Sequence, residues 1–205
     1  MELICQKKIK YIDMNIINAN ARSLNKKLGS LIESFDEYDL SVALLTETWF
    51  SSGRDLERER LDLEYGENVA LITKNRPGRG GGVAVAYDTA KMVMKEFKFP
   101  GNKYELVCAV GNSTAGNRKV AAIAVYIPPN QKKNETKKLP DCISDGISKL
   151  KSTYDNLMIV IGGDTNNRRL QHILADFPDM QLLDNPPTRS SAVLDETATF
   201  HPSNG

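Results

Sequence analysis

Cysteine is scarce: Cys5, Cys108 and Cys142 are far apart and odd in number. With no CxxC pair and no Cys/His cluster, neither a zinc site nor a disulfide framework is expected. Free thiols fit a reducing compartment. Histidine is scarcer still, at His172 and His201. An excess of one charge is missing too, since 27 basic residues face 26 acidic ones for a net charge of +1. Composition therefore offers no strongly basic surface as an argument for nucleic acid, although a balanced total can contain a local basic patch. The longest apolar run, Val120–Ile127, is far short of the roughly 20 residues of a membrane helix. The N-terminus, MELICQKKIKYID, reaches lysines before any apolar core and makes a poor secretory leader. A chain without membrane association, intracellular in cytoplasm and nucleus, is expected.

What is present is an ordinary globular composition, 40% hydrophobic over 205 residues, enough for one domain with a sizeable core. Apolar, β-rich runs recur at Ile12–Asn18, Val42–Thr46, Val69–Thr73, Val83–Tyr87, Met92–Phe97, Glu105–Val110, Val120–Ile127 and Leu157–Ile161. Several are apolar almost throughout, as strands covered on both faces should be. Leu24–Phe35 reads as a helix with Leu28, Leu31, Ile32 and Phe35 on one face and Ser23 as a cap. Glu135–Tyr154 repeats Leu139, Ile143, Ile147 and Leu150 with Pro140 early in it, and Arg168–Phe177 is a shorter candidate. This order predicts an α/β chain with two sheets packed face to face and flanking helices.

Polar side chains stand at the ends of these runs: Asn18 and Asn20 after the first, Glu47 after the second, Asp164 and Asn166 after the last. Strand ends at one rim of a sheet are where ligands bind in α/β folds. Hard oxygen donors gathered there without imidazole or thiolate suit Mg²⁺ or Mn²⁺. Each residue also has an ordinary reading: Asp164 as a turn or cap, Glu47 as an exposed acid, Tyr126 as a rim aromatic. Gly80-Gly81-Gly82 reads as a tight hairpin turn. It lacks the Gly-Lys-Ser/Thr ending of a P-loop.

Order and wording lift the set above its parts. The chain contains Asn20-Ala21-Arg22-Ser23-Leu24, Leu45-Thr46-Glu47-Thr48-Trp49, Arg79-Gly80-Gly81-Gly82-Val83-Ala84, Val125-Tyr126-Ile127-Pro128-Pro129-Asn130, Gly163-Asp164-Thr165-Asn166 and Ala198-Thr199-Phe200-His201. From about Asp13 to Gly205 this resembles the endonuclease domain of non-LTR (LINE-type) retrotransposons, in the exonuclease–endonuclease–phosphatase superfamily with DNase I and the apurinic endonucleases. The resemblance implies a DNase I-like β-sandwich with flanking helices and a metal-dependent DNA endonuclease that nicks target DNA to prime reverse transcription. It implies Glu47 as the principal metal ligand, with Asn20, or Asn18 in its stead, helping to hold the metal-bound water or phosphate. Tyr126 would contact the scissile phosphate, Asp164 would orient or deprotonate the attacking water, Asn166 would bind phosphate, and Thr199 would lie near it. The implied partners are DNA and a reverse transcriptase domain in the parent polyprotein, and a monomer is expected.

Two departures stand out. The family's Gly-Asp-Phe-Asn reads Gly163-Asp164-Thr165-Asn166 here, and the closing Ser-Asp-His does not occur in the sequence. Asp195 stands four residues before Thr199, on the wrong side for the family's later acid. Residues 1–205 are therefore read as a single endonuclease-type domain, C-terminally truncated and lacking its closing strands, with severely reduced or absent nicking and an exposed sheet edge expected. Candidate DNA-phosphate contacts are Arg22, Arg76, Arg79, Lys132, Arg168 and Arg169, with Lys74 and Lys133 beside them. The rival functions are hydrolysis of a small phosphoester and a DNA-binding remnant without catalysis.

Overall fold

The computed structural model describes residues 5–11, 14–51, 68–78, 80–116, 118–131, 134, 137–166, 174–175, 177, 180–182 and 195–200. Their elements are β1 (Cys5–Tyr11), β2 (Met14–Asn20), α1 (Leu28–Glu37), β3 (Val42–Thr46), β4 (Val69–Lys74), β5 (Val83–Asp88), β6 (Met92–Glu96) and β7 (Glu105–Ser113). They continue with β8 (Lys119–Tyr126), α2 (Leu139–Thr153), β9 (Leu157–Asp164), β10 (Gln181–Leu182) and β11 (Asp195–Phe200). A five-stranded sheet runs β1-β2-β3-β5-β4 and a six-stranded one β10-β11-β9-β8-β7-β6. The expected two-sheet sandwich with flanking helices is present, and it is the DNase I-like fold.

Alternation along each strand sorts the side chains into three apolar layers. Met14 and Ile16 of β2, Val42 and Leu44 of β3, Val120, Ala122 and Ala124 of β8, and Met158 and Val160 of β9 fill the space between the sheets. The opposite faces carry Ile17, Ala19, Ala43 and Leu45 against Leu28, Leu31 and Phe35 of α1. On the other side Ala121, Ile123, Ile159 and Ile161 meet Ile143, Ile147 and Leu150 of α2. Burial on both faces explains why β3, β8 and β9 read as nearly unbroken apolar runs. No described helix is long and apolar enough to cross a membrane.

Several boundaries differ from the sequence reading. β1 was not expected; it pairs antiparallel with β2, from Cys5 opposite Ala19 to Tyr11 opposite Met14. The helix read from Leu24 starts at Leu28, and Ser23 does not cap it. Residues 21–24 are drawn instead into a ladder, with the N–H groups of Ala21, Ser23 and Leu24 donating to the carbonyls of Thr46, Glu47 and Thr48. The Ser23 hydroxyl closes a local turn onto the Asn25 N–H. The helix read from Glu135 is described from Leu139, with Pro140 in its first turn as read. The helix read at Arg168–Phe177 falls largely outside the described residues. β11 covers β9 on the side where an open edge was expected. Among the described residues Val93 is the exposed large apolar side chain.

Two parallel pairings decide where the strand ends meet. β2 lies parallel to β3 with Asn20 opposite Thr46, and β8 lies parallel to β9 with Tyr126 opposite Asp164. The second pairing closes tightly at Gly163, opposite Val125, where a Cβ would collide with the Val125 carbonyl oxygen. Gly163→Ala is therefore expected to destabilise the chain by at least about 2 kcal/mol through overpacking against backbone. Urea unfolding, read as a lower midpoint at unchanged slope, checks it.

Candidate active site

The inward-facing alternation that builds the inter-sheet layer runs on to the rim and there turns polar. After Met14 and Ile16 come Asn18 and Asn20; after Val120, Ala122 and Ala124 comes Tyr126; after Met158 and Val160, two positions on, comes Asp164. The same face that is apolar in the middle of the sandwich is thus a row of carboxamides, phenol and carboxylate at its end.

These groups bond to one another across the two sheets. The Asn20 amide Nδ2 donates to Asp164 Oδ2 at 3.0 Å. The Tyr126 hydroxyl donates to Glu47 Oε1 at 3.2 Å. Asp164 is buried, 5% exposed, and its Oδ1 accepts the Asn166 backbone N–H at 3.1 Å. The Asn166 side chain in turn donates to the Ile127 carbonyl at 2.9 Å, holding the loop after Tyr126. Asn20 Oδ1 accepts the Arg22 N–H at 3.1 Å, so Arg22 orients Asn20 through its backbone while its side chain is exposed. Asn18 is buried one position behind, at 2% exposure. Asn20 is therefore the carboxamide at the rim.

Glu47 has a left-handed backbone (φ 53), as do Arg22 (φ 44), Ser23 (φ 80), Trp49 (φ 61) and Asn166 (φ 41) around it. Such conformations cost on the order of 1–3 kcal/mol each and persist where surrounding bonds over-determine them. Here those bonds come from the 21–24 ladder on one side and the glycine turn on the other. Thr48 and Trp49 donate their N–H groups to the carbonyls of Gly82 and Gly81. Gly82 (φ +85) packs against the Thr48 hydroxyl where a Cβ would collide. The turn read from the sequence as a simple hairpin is a clamp on the segment that carries Glu47.

Sequence reasoning missed Glu105, which secures that clamp. Its Oε2 accepts the Gly82 N–H at 2.6 Å, and its Oε1 lies 3.4 Å from Arg76 Nη1. It stands opposite Tyr126 in the β7–β8 register. The signal available was its position at the start of an apolar strand, the mirror of the strand-end rule. Burial lifts the Glu105 carboxyl above its ordinary range, against the Gly82 N–H and the Arg76 charge that draw it down. Burial also raises the Tyr126 phenol, with the charge of Glu47 adding to the effect, so Tyr126 remains a protonated donor at neutral pH.

Other predicted residues do not join the cluster. β11 runs antiparallel to β9, and its register puts Thr199 opposite Val160 and Asp195 opposite Asp164. At about 3.3 Å per residue Thr199 is some 13 Å along the strand from the rim, so the pairing does not bring it to Asp164. Asp195 has the backbone position there, against the little weight its sequence spacing carried. Arg76 is exposed and paired with Glu105. Arg79, Lys132, Lys133, Arg168, Arg169, His172 and His201 lie outside the described residues.

The donor set fits a hard cation. Glu47 is partly exposed, forms no ion pair among the described residues, and commits one oxygen to Tyr126. Asn20, opposite Thr46 in the β2–β3 register, is the carboxamide beside that segment. No group of three or more His, Cys, Asp or Glu residues suited to a metal exists among the described residues. Magnesium takes few protein ligands and retains waters, so one carboxylate beside a substrate phosphate is adequate.

The chain has the fold of the endonuclease/exonuclease/phosphatase proteins. Among solved structures it is similar to the endonuclease domain of TRAS1, a telomere-specific non-LTR retrotransposon (15% identity, 90% of this chain and 84% of that one, TM-score 0.61). It is also similar to D. rerio TDP2 in complex with a single-strand DNA product (14% identity, 94% and 85%, TM-score 0.60). A mannosyl-6-phosphatase of Bacteroides thetaiotaomicron shares the fold as well (12% identity, 89% and 79%, TM-score 0.60). No family model matches the chain, and no curated protein does.

Two variants probe the site's stability. A group whose folded pKa is raised binds an extra proton in the folded state, so stability falls as pH climbs from the unfolded value near 4.5 through the folded one. Glu105→Gln retains an acceptor for Gly82 and loses that fall. Its urea midpoint relative to wild type is expected to improve steadily between about pH 4 and pH 7. Thr165 is 1% exposed and its hydroxyl has no hydrogen-bond partner among the described residues. Thr165→Val is expected to raise stability by about 1 kcal/mol, measurable in the same unfolding experiment.

Proposed function

We propose that this chain is a metal-dependent DNA endonuclease domain of non-LTR retrotransposon type, nicking target DNA by phosphodiester hydrolysis to leave a primer for reverse transcription. The observation that carries the reading is the joining of Asn20, Glu47, Tyr126, Asp164 and Asn166 at one rim through hydrogen bonds that cross the sandwich. The likeness to the TRAS1 endonuclease domain and to TDP2 with its DNA product supports it. So does the wording around Asn20 and Glu47. A reverse transcriptase domain in the parent polyprotein, a monomeric state and residence in cytoplasm and nucleus belong to the same reading.

Glu47 and Asn20 Oδ1 would hold Mg²⁺ or Mn²⁺, which when bound neutralises charge on the scissile phosphate. Asp164, fixed by Asn20 and the Asn166 N–H, orients the attacking water and accepts its proton. The protonated Tyr126 hydroxyl donates to a phosphate oxygen, and the Asn166 amide adds a second donor as charge develops. Thr199 retains a role in this reading only if substrate reaches along β11. Among the described residues Arg22 is the exposed cation nearest the cluster in sequence for DNA phosphate. Arg79, Lys132, Arg168 and Arg169 remain proposed contacts.

A supercoiled-plasmid assay tests this. Open circles are expected to form with Mg²⁺ or Mn²⁺ and to vanish with chelator. Glu47→Gln and Asp164→Asn are each expected to slow nicking at least about 100-fold. Turnover by these 205 residues is expected to be slow, since neither His172 nor His201 stands in a Ser-Asp-His motif. Hydrolysis of a sugar or inositol phosphate without action on DNA would replace this reading with the small-phosphoester one, for which the likeness to the mannosyl phosphatase speaks. Salt-sensitive DNA binding with no metal-dependent nicking would leave a binding remnant.

A further inference from the structure

Behind Tyr126 the rim opens into a cavity of about 460 Å³ walled by the end of β4 and residues 75–77, by residues 103–105, and by the loop 126–131. Its volume lies in the range of small-ligand sites. Among the described residues its charged lining is Lys74, Arg76 and Lys103 against Glu105, a formal excess of two positive charges. Two separate segments supply those cations, residues 74–76 and Lys103. Leu139 also lines it, so the N-terminus of α2, which carries no side-chain cap, borders the cavity and adds the positive end of a helix dipole. Asp141 in that first turn is exposed and is not part of the wall.

Lys74 is the telling group. Its ammonium is half-buried and donates to the neutral Asn102 carbonyl at 3.1 Å, and it forms no ion pair among the described residues. Burial pulls its pKa below the usual range, the sign that the charge lacks adequate compensation. Cys142, Glu96 and Glu105 act against that burial without reversing it, and Glu105 is itself committed to Gly82 and Arg76. An anion entering the cavity would repay the burial of Lys74 and meet Lys103 at the mouth. Tyr104 forms an apolar part of the wall. Tyr126 is shared, because it lines this cavity and donates to Glu47 on its other side.

We infer that the cavity is a second phosphate subsite, which holds the phosphate adjacent to the reacting one on the same nucleic-acid strand. The assignment to a strand rests on the nuclease reading above; the anion site itself rests on the cavity and its cations. Lys74 supplies the buried charge, Lys103 and Arg76 the outer ones, and the shared Tyr126 wall sets the phosphate next to Glu47, the proposed metal ligand. The subsite fixes which bond of a strand lies over Asp164.

Two experiments test it. First, inorganic phosphate is titrated without metal while backbone amide shifts are followed by NMR. Saturable shifts at Asn75, Lys103, Tyr104 and Gln131, weakened at least about tenfold in Lys74→Gln and restored by Lys74→Arg, are expected. Lys103→Gln, on the surface, gives the same readout should Lys74→Gln fail to fold. Shifts confined to Asn20, Glu47 and Asp164, or unaltered by these variants, would overturn the site. Second, in a Glu47→Gln background, binding of DNA carrying a single uncharged methylphosphonate is measured at each position of the strand. One position should cost the parent protein affinity and cost the Lys74→Gln protein nothing further. The slope of log affinity against log salt should be shallower in Lys74→Gln by about 0.7–0.9, one phosphate contact. Fully additive losses at every position would refute the strand assignment. If the cavity responds to phosphate while DNA is neither bound nor nicked, the nuclease reading falls and the anion site stands. Nicking with an unresponsive cavity does the reverse.

Discussion

The Asn20–Asp164 hydrogen bond joins residues 144 positions apart and belongs to neither sheet; it ties the end of β2 in one to the end of β9 in the other. Everything functional at the rim depends on that junction. It holds only if the two sheets pack at a fixed separation, which is set by the residues between them, Ile16, Leu44, Ala122, Ala124 and Val160. The alanines of β8 matter here: small side chains facing larger ones let the layers interdigitate at the roughly 10 Å spacing of packed sheets. A bulkier residue at Ala124 would part the sheets beside Tyr126 and lengthen both bridging bonds together. The site is thus a readout of core packing.

Rigidity at the rim comes from backbone more than from side chains. Glu47 keeps a left-handed conformation because its neighbours are held from both sides, by the 21–24 ladder and by the Gly81–Gly82 clamp. Lys27 adds to this by donating its ammonium to the Arg22 carbonyl at 2.9 Å. Glu105 extends the same chain of dependence into the second sheet, since it starts β7 and grips the turn that leads into β5. A carboxylate whose own charge is disfavoured by burial is retained where it aligns another carboxylate. Stability yields locally to position.

The sandwich was legible because burial on both faces leaves a continuous apolar signature, as in Val42–Thr46, whose strand bounds match the reading. Asn20, Glu47, Tyr126 and Asp164 were legible because polar residues at strand ends break that signature in the right order. Register was not. Nothing in the local pattern says that β8 meets β9 with Tyr126 beside Asp164, or that Asp195 falls opposite Asp164, because pairing is decided by long-range packing. β1 was hidden because Gln6, Lys7, Lys8 and Lys10 dilute its apolar content, as suits an edge strand. Glu105 was hidden because its partner is a backbone N–H on a distant glycine, an interaction without a side-chain motif.

Charge is partitioned at Tyr126. On one side lie Glu47 and Asp164, acids placed to favour a cation and to handle a proton; on the other lie Lys74, Arg76 and Lys103 around a cavity suited to an anion. The two carboxylates differ in turn: Glu47 is partly exposed with an oxygen to spare, whereas Asp164 is buried with both oxygens bonded. A metal ligand needs the first environment and an orienting base the second. A net charge of +1 is the sum of such opposed regions. The phenol between them, kept protonated by burial and by Glu47, lines the cavity and bonds to Glu47. In the proposed function its neutrality would keep a further negative charge out of a phosphate's path to the acids.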